Sequence, residues 1–283
     1  MQISIDSNSI IGLREVNQDS YCSFEVENYP IRGILTCDGN GGDGGKVISQ
    51  IGTGIIPLVI YEHCKKIETA KEFEQVGLTA LKNAAKYILN LKEDHPEWEK
   101  AGTTITLALI YPKKNLLGIF WIGDSPCYVM QDKKLTHMTF PPHTLGEMLI
   151  AQGSDRKAIE QQPRLCSILT RCAGYDEFEP SSKIIDINPP CLVLLGSDGV
   201  FGYVSEEEIL RIASSTNSVK CITENLIAKA LENNSDDNLT LITTLIESEQ
   251  IVQDIHANKR ITQIYEWRDK RWITRKNPKQ KKS

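Results

Sequence analysis

The sequence lacks long apolar runs and a recognisable leader. No apolar segment in the 283 residues approaches the roughly 18 to 20 residues that span a bilayer. The first ten residues, MQISIDSNSI, have neither the basic start nor the apolar core of a signal peptide. With 40% hydrophobic and 24% charged residues, the composition is that of a folded globular protein rather than a disordered one. These features predict a cytoplasmic protein with no membrane partner.

The eight cysteines lack the arrangement that would give them metal or disulfide chemistry. They are scattered, with no CxxC pair and no partnering histidine spacing. Cys37 and Cys191 lie inside apolar runs, where a thiol behaves as a small hydrophobe. Because zinc sites need tighter ligand spacing, we expect buried, reduced thiols rather than disulfides or zinc.

Charge is unevenly distributed along the chain. The formal net charge is −5, but residues 259–283 carry ten Lys and Arg against Glu266 and Asp269, a net of +8. Residues 1–258 therefore carry −13. The chain is predicted to have an acidic body and a basic tail.

Apolar periodicity predicts both helices and strands. The predicted helices cover 46–66, 71–91, 206–213 and 219–231. The predicted strands cover 34–37, 103–111, 116–122, 127–131, 135–139, 184–187, 191–195 and 239–246, and the four between 103 and 139 are interpreted as an antiparallel meander. Two helix pairs flanking a β block favour an α+β fold over a doubly wound parallel sheet. Residues 141–165 are interpreted as a surface excursion with one short helix, a place where substrate selectivity could reside.

The stretch ILTCDGNGGDGGK, residues 34–46, invites comparison with phosphate-binding loops. A Walker loop needs GxxxxGK followed by Ser or Thr. Aligning its lysine on Lys46 places Asn40 where the first glycine belongs and Val47 where the hydroxyl belongs, so the match fails. A GxGxxG pattern does occur at Gly39, Gly41 and Gly44, but the chain lacks the alternation of a Rossmann domain.

The nucleotide-binding interpretations leave Asp38, the carboxylate that follows the predicted strand 34–37, without a role. A metal site would give it one. Five aspartates stand beside small or polar residues, and the last four of them are near predicted strand ends: Asp19, Asp38, Asp124, Asp198 and Asp237. If they converge, their negative charges need cations. Carboxylate oxygens suit magnesium or manganese. Each aspartate alone is weak evidence, because such residues are commonly turn formers.

The order of the motifs around these aspartates resembles the metal-dependent serine/threonine protein phosphatases, the protein phosphatase 2C-like (PPM) family. The motifs are RxxNQD (14–19), DGNGG (38–42), AGTT (101–104), IGDS (122–125), LTRCAG (169–174), GSDG (196–199) and DNLT (237–240). The resemblance extends from about residue 9 to 247. It implies a four-layer αββα sandwich of two antiparallel sheets flanked by helix pairs, with residues 1–248 as the catalytic domain and 249–283 as a tail.

The resemblance also implies a site with two Mn²⁺ or Mg²⁺ ions and a third, weaker position. Asp38 would bridge both ions and Gly39 would contribute its carbonyl oxygen, while Asp198 and Asp237 would hold the first ion. Asp124 would pair with Asp198 around the third.

Arg14 and Asp19 are implied to assist the reaction. Asp19 would orient metal-bound water and Arg14 would bind the substrate phosphate, for which its planar fork is well matched. The implied activity is hydrolysis of phosphoserine or phosphothreonine on proteins by a bridging metal-bound water, reversing a protein kinase. The expected partner is a phosphorylated protein, such as a kinase or a kinase target, and a monomer is expected.

The sequence departs from the family pattern at several positions. Asn40 stands where the family often has His or Met, and a neutral amide cannot be a general acid. Lys46 replaces an acidic residue, and Pro126 replaces a common arginine. The segment LTHMTFPPHT lacks the usual LTxDH pattern, and its His143 is interpreted as an exposed loop histidine in preference to an alternative acid.

Two rival functions remain open at this point. A pseudophosphatase would use the same fold as a protein-binding module. A nucleic-acid-binding protein would use the tail, where Tyr265, Trp267 and Trp272 alternate with basic residues. Because Ile261, Ile264, Tyr265 and Trp272 nearly share a helical stripe, docking of the tail on the acidic body or a partner, or a solvated basic end, is favoured over nucleic-acid binding.

Overall fold

Two antiparallel β-sheets form the centre of the fold. The computed structural model describes residues 1–42, 44–248, 265–268 and 271–274. The first sheet has the order β1-β11-β10-β7-β8. Its strands are β1 (Gln2–Ile10), β7 (Cys127–Gln131), β8 (Lys134–His137), β10 (Cys191–Gly196) and β11 (Leu239–Glu247).

The second sheet has the order β2-β3-β5-β6-β9, with β4 paired to the end of β3. Its strands are β2 (Asp19–Glu25), β3 (Arg32–Asn40), β4 (Gly102–Thr103), β5 (Ile105–Tyr111), β6 (Leu116–Ile122) and β9 (Ser181–Asp186). All neighbouring pairs in both sheets are antiparallel.

Helices cover the outer faces of both sheets. The helices are α1 (Gly44–His63), α2 (Ala70–Glu93), α3 (Leu145–Ala151), α4 (Arg156–Glu160), α5 (Pro163–Ser167), α6 (Asp198–Phe201), α7 (Glu206–Ser215) and α8 (Val219–Glu232). Helices α1 and α2 pack on the second sheet, and α7 and α8 pack on the first. Leu226 and Ile209 are among the fully buried apolar residues of the outer core on the first sheet.

A third apolar core lies between the sheets. Ile34, Ile110 and Ile119 of the second sheet pack in one cluster with Val193 and Ile242 of the first. Every one of these side chains is completely buried. The α+β, four-layer αββα architecture is thus confirmed, with one core under each helix pair and one between the sheets.

Local sequence signals explain why the helices begin where they do. Thr69 and Glu72 form a reciprocal capping box at the start of α2, in which each side chain bonds the other's backbone N–H. Ser205 and Ser218 are the N-caps of α7 and α8, where their side-chain oxygens accept hydrogen bonds from Glu208 N–H and Cys221 N–H. The predicted helices and the strand runs from 103 to 131 therefore agree closely with the structure.

The predicted antiparallel meander is wrong between β6 and β7. These strands belong to different sheets, because β7 pairs with β10 rather than with β6. The chain turns at Gly123, whose φ of +101° favours glycine, and crosses from the second sheet to the first. This crossing places the GDS motif at the junction of both sheets.

Other sequence predictions need smaller corrections. Strands β1 and β2 were not predicted, and the excursion at 141–165 contains three short helices, the last ending at residue 167, rather than one. All eight cysteines are free and five are buried, but Cys166 and Cys221 are exposed.

The C-terminal segment contains strands rather than the helical stripe that its sequence indicated. Strands β12 (Tyr265–Arg268) and β13 (Arg271–Thr274) form an antiparallel hairpin in which Trp267 is opposite Trp272. Ile261 and Ile264 lie outside the described residues. No helix in the described part of the chain is long and apolar enough to cross a membrane.

Candidate metal centre

The five predicted aspartates meet at one edge of the sandwich. Asp19 opens β2 directly opposite Asp38 near the end of β3. Asp124 follows β6, Asp198 follows β10, and Asp237 precedes β11. Because antiparallel neighbours place one strand's end beside the next strand's start, residues far apart in sequence come together here.

The acidic side chains are close enough to perturb one another. Burial is the main cause that raises the pKa of Asp38 well above its ordinary value, and the neighbouring charges of Asp19, Asp198, Asp124 and Asp237 raise it further. All five carboxyl groups therefore contribute to one electrostatic cluster. Negative charges in such a cluster repel unless cations or protons compensate them.

Each of three further carboxyl groups has its own raised pKa. Burial, offset by hydrogen bonds from Thr240 and Ser197, raises the pKa of Asp19 to about 6. Burial and the charge of Asp198 raise that of Asp124 to about 8. Burial and the charge of Asp237 raise that of Asp198.

The donor set and its surroundings fit a divalent cation. The Oδ1 atom of Asp198 is buried and has no hydrogen-bond partner among the described residues. A buried, unpaired carboxylate oxygen is costly, and an ion would compensate it. Among the described residues, no group of three His, Cys, Asp or Glu side chains is already arranged closely enough to hold a metal ion.

Gly39 is required by packing. A Cβ at this position would lie 2.4 Å from the carbonyl oxygen of Gly45, at the start of α1. Any larger residue would push the end of β3 away from the helix. The close contact between Gly39 and Gly45 therefore explains why residue 39 has no side chain.

The AGTT motif holds the backbone of Asp38. The Asp38 N–H donates to Thr104 Oγ1 at 3.0 Å, and the Asp38 carbonyl oxygen accepts from Thr104 N–H at 2.9 Å and from Thr103 Oγ1 at 2.9 Å. Thr104 Oγ1 also bonds Ser125 Oγ at 2.7 Å, which links this support to the GDS turn. Sequence reasoning included both motifs but did not predict this contact.

Asp19 is oriented by a hydroxyl from the GSDG motif. Ser197 Oγ donates to Asp19 Oδ2 at 2.8 Å. Ser197 in turn accepts from Thr240 N–H at 3.1 Å. Asp19 is therefore fixed by residues beside Asp198 and Asp237.

Arg14 lies at the rim of the cluster, where its exposed side chain contacts Asp237. Its Nη2 donates to Asp237 Oδ2 at 2.9 Å, and its Nε donates to the Asp236 carbonyl oxygen at 3.0 Å. Within the described residues, no acceptor is bonded to Nη1. The guanidinium thus keeps donors available for an anion.

Asn238 was not among the predicted site residues. It connects both ends of the loop that carries Arg14, residues 11–16, to the aspartate cluster. Its Nδ2 donates to the carbonyl oxygens of Ile11 and Val16, at 2.9 and 3.1 Å. Its Oδ1 accepts from Gln18 N–H at 2.9 Å. The DNLT motif contained the signal for this role, because an amide beside a site aspartate can bond several backbone groups at once.

Asn40 has a structural role. Tyr175 Oη donates to Asn40 Oδ1 at 3.1 Å, and Asn40 Nδ2 donates to Cys172 Sγ at 3.4 Å. Both polar atoms of the amide are therefore engaged by neighbouring protein groups. The side chain of Lys46 is exposed.

The prediction that His143 is an exposed loop residue is wrong. It is buried beneath the GDS turn, with 7% of its surface exposed. Its Nδ1 accepts from Gly123 N–H at 3.1 Å, its own N–H donates to the Gly123 carbonyl oxygen at 2.9 Å, and its Nε2 lies 2.9 Å from Ser181 Oγ. Burial, with the nearby charge of Arg171, lowers the pKa of His143 to about 4. A neutral ring therefore clamps the turn that carries Asp124, and it is a poor proton donor at neutral pH.

Comparison with known proteins agrees with this site. No protein-family model matches the chain. It is 28% identical over 238 residues to a putative protein phosphatase of Mycoplasma genitalium, covering 81% of this chain and 89% of that protein. It is 27% identical over 233 residues to the serine/threonine phosphatase stp of Listeria welshimeri, covering 81% and 90%.

Solved structures show the same fold. The serine/threonine phosphatase PstP/Ppp of Mycobacterium tuberculosis superposes with a TM-score of 0.73 at 27% identity, covering 87% of this chain and 99% of that one. The catalytic domain of PstP in complex with two manganese ions gives a TM-score of 0.70 at 26% identity, covering 87% and 99%. With the aspartate cluster and the ordered motifs, these similarities show that the chain resembles the PPM-type, metal-dependent serine/threonine protein phosphatases in sequence and in fold.

Proposed function

We propose that this protein hydrolyses phosphoserine and phosphothreonine on protein substrates, using Mn²⁺ or Mg²⁺. The observation that carries the proposal is the convergence of five aspartates at one edge of the sandwich, with an arginine at their rim. Residues 1–248 constitute the catalytic domain and residues 249–283 a basic tail. The protein acts as a cytoplasmic monomer that reverses a protein kinase.

Asp38, Asp198 and Asp237 would hold two ions together with the Gly39 carbonyl oxygen, and Asp124 with Asp198 would offer a weaker third position. When bound, the ions neutralise the charge of the cluster, stabilise charge on phosphoryl oxygens and lower the pKa of a coordinated water. The pKa values of Asp19 and Asp124 are raised because burial, and then neighbouring negative charge, disfavours their anions. Bound divalent cations would reverse that preference, favouring the carboxylate form of Asp124 as a ligand and of Asp19 beside the ions.

Arg14 binds the phosphate of the substrate. Its Nε and Nη2 are anchored on Asp236 and Asp237, which fixes the plane of the guanidinium. Because the guanidinium is planar, this anchoring also fixes the direction of Nη1, which can donate to a phosphate oxygen. Asp19, held by Ser197, accepts a proton or a hydrogen bond from the attacking water.

Neither Asn40 nor His143 is suited to protonate the leaving serine or threonine oxygen at neutral pH. Asn40 is neutral and bonded to Tyr175 and Cys172. His143 is buried and neutral. Solvent is therefore assigned the role of proton donor.

The rival functions have less support. A pseudophosphatase would have no reason to keep like charges crowded around Asp38, since their repulsion costs stability without an ion to bind. Nucleic-acid binding by the tail is supported by composition alone.

Manganese-dependent hydrolysis of a phosphothreonine peptide tests the proposal. Wild-type protein should release phosphate with Mn²⁺ and stop with EDTA, and Asp38→Asn and Asp198→Asn should each abolish turnover. Asp186→Asn, on the exposed end of β9, is the matched control and should retain wild-type activity. Turnover that persists in EDTA, or in the Asp38→Asn variant, would contradict the proposal.

A further inference from the structure

The loop that carries Arg14 exposes an unusual number of apolar side chains. Ile11, Leu13 and Val16 are 43%, 78% and 46% exposed. Eleven large hydrophobic side chains are exposed among the described residues, and three of them fall within these six consecutive positions. Single exposed apolar residues are normal, whereas a cluster beside a functional site needs an explanation.

The backbone of this loop is held firmly, so its apolar side chains cannot simply fold inward. Asn238 Nδ2 bonds the carbonyl oxygens of Ile11 and Val16, one at each end. Gly12 has a φ of +60°, and a Cβ there would lie 2.0 Å from the carbonyl oxygen of Asp237. The loop is therefore seated on the DNLT motif, and its one close contact point requires glycine.

The position of Leu13 next to Arg14 indicates which molecule would contact the Leu13 side chain. Arg14 is anchored on Asp236 and Asp237 at the rim of the aspartate cluster. Leu13 is the preceding residue in the same anchored loop. A phosphoserine whose phosphate reaches Arg14 brings its own neighbouring residues within one or two side-chain lengths of Leu13.

We propose that Ile11, Leu13 and Val16 form an apolar rim that selects phosphoprotein substrates with an apolar side chain within two residues of the phosphorylated serine or threonine. This inference rests on the proposed function and adds a preference for substrate sequence. The rim residues belong to the same loop as Arg14, the residue proposed to bind phosphate. Because this loop is already held in place by Asn238, little conformational entropy is lost when a substrate binds to it.

The expected effect is largest for Leu13, the most exposed of the three. Replacing Leu13 by alanine removes three carbons that would otherwise be buried against the substrate. Partial burial of these three carbons by the substrate predicts that Leu13→Ala loses about tenfold in kcat/KM for a peptide with apolar residues beside the phosphorylated residue. Because the rim binds ground state and transition state alike, the loss should appear mainly in KM.

Three phosphothreonine peptides test the inference: one with glycine at all four flanking positions, one with leucine there and one with aspartate. Wild-type protein should hydrolyse the leucine peptide with the highest kcat/KM. Leu13→Ala should lose that advantage and change the glycine peptide less than about twofold, whereas Leu13→Met should restore the preference. Leu58→Ala, a matched exposed leucine on α1, should leave all three rates unchanged.

The outcomes separate this inference from the function on which it rests. If no peptide is hydrolysed with Mn²⁺, the proposed function fails. If all three are hydrolysed equally by wild type, or if Leu13→Ala slows all three in parallel, the apolar rim has no role in selection and the inference is overturned. A change in oligomeric mass of Leu13→Ala in size-exclusion chromatography, without a change in peptide preference, would also overturn it, since a second copy would then be the occupant.

Discussion

Replacing Asp19 by asparagine should stabilise the metal-free protein. The pKa of the Asp19 carboxyl rises from the ordinary 3.8 to about 6, first because of burial and then because of the charges of Asp198 and Asp237. The folded state thus prefers the protonated acid. Asparagine removes the ionisation, and its Oδ1 can still accept the hydrogen bond that Ser197 donates to Asp19.

The magnitude follows from the two pKa values. A group whose pKa is raised by folding favours the folded state fully below its unfolded pKa and loses that contribution as the pH rises through its folded value. The interval between 3.8 and about 6 corresponds to about 3 kcal/mol at 1.36 kcal/mol per pH unit. About 2 kcal/mol of this develops between pH 4.5 and pH 8.

Urea unfolding in EDTA at the two pH values measures the effect. The difference in unfolding free energy between Asp19→Asn and wild type should grow by about 2 kcal/mol from pH 4.5 to pH 8. Comparing the variant with wild type at each pH cancels the titration of groups outside the cluster. A difference that is independent of pH, or that decreases toward pH 8, would refute the assigned burial of the Asp19 charge.

Four further predictions concern single features of the structure. Arg14→Ala should raise KM for a phosphopeptide about tenfold or more, because a charge-assisted contact to phosphate is lost; an unchanged KM would contradict its role. Gly41→Ala should lower stability well beyond Gly42→Ala, since both have positive φ but only the Gly41 Cβ would clash, 1.8 Å from a carbonyl oxygen; equal melting temperatures would show that the contact is not made. His143→Ala should cost about 1–3 kcal/mol in urea unfolding by leaving the Gly123 N–H unpaired, and His143→Asn should recover part of it; no loss in the alanine variant would exclude the clamp. Truncation after Ser248 should retain kcat/KM for a phosphopeptide, and a large decrease would show that the tail belongs to the catalytic unit.

The sequence predicted most helices and central strands because their apolar spacing is a local property. Helix α2 has its buried residues at helical spacing and a capping box at its start. Strand β6 is apolar throughout and ends at a glycine turn. Strand β1 was missed because much of its sequence, QISIDSNSI, is polar. It forms through its nine-residue pairing with β11, in which the paired residues are 229 to 245 positions apart in the chain.

Partner choice among strands, and the surroundings of single polar residues, are non-local. Nothing within residues 116–131 indicates that β7 leaves β6 to pair with β10. His143 lies in a loop directly after two prolines, a context that favours exposure. In the structure it is nevertheless buried, and it packs against the GDS turn through its hydrogen bond with Gly123. Motif order was enough to propose Asp38 and Asp198 as site residues, whereas the hydrogen bonds from two threonines to the Asp38 backbone could be found only in the structure.

Diffraction at the manganese absorption edge from crystals grown with Mn²⁺ tests the central claim most directly. The account predicts two anomalous peaks flanking the carboxylate of Asp38, one of them also bound by Asp198 and Asp237. A structure in which manganese binds elsewhere, or in which these three carboxylates contact no ion at saturating Mn²⁺, would contradict it.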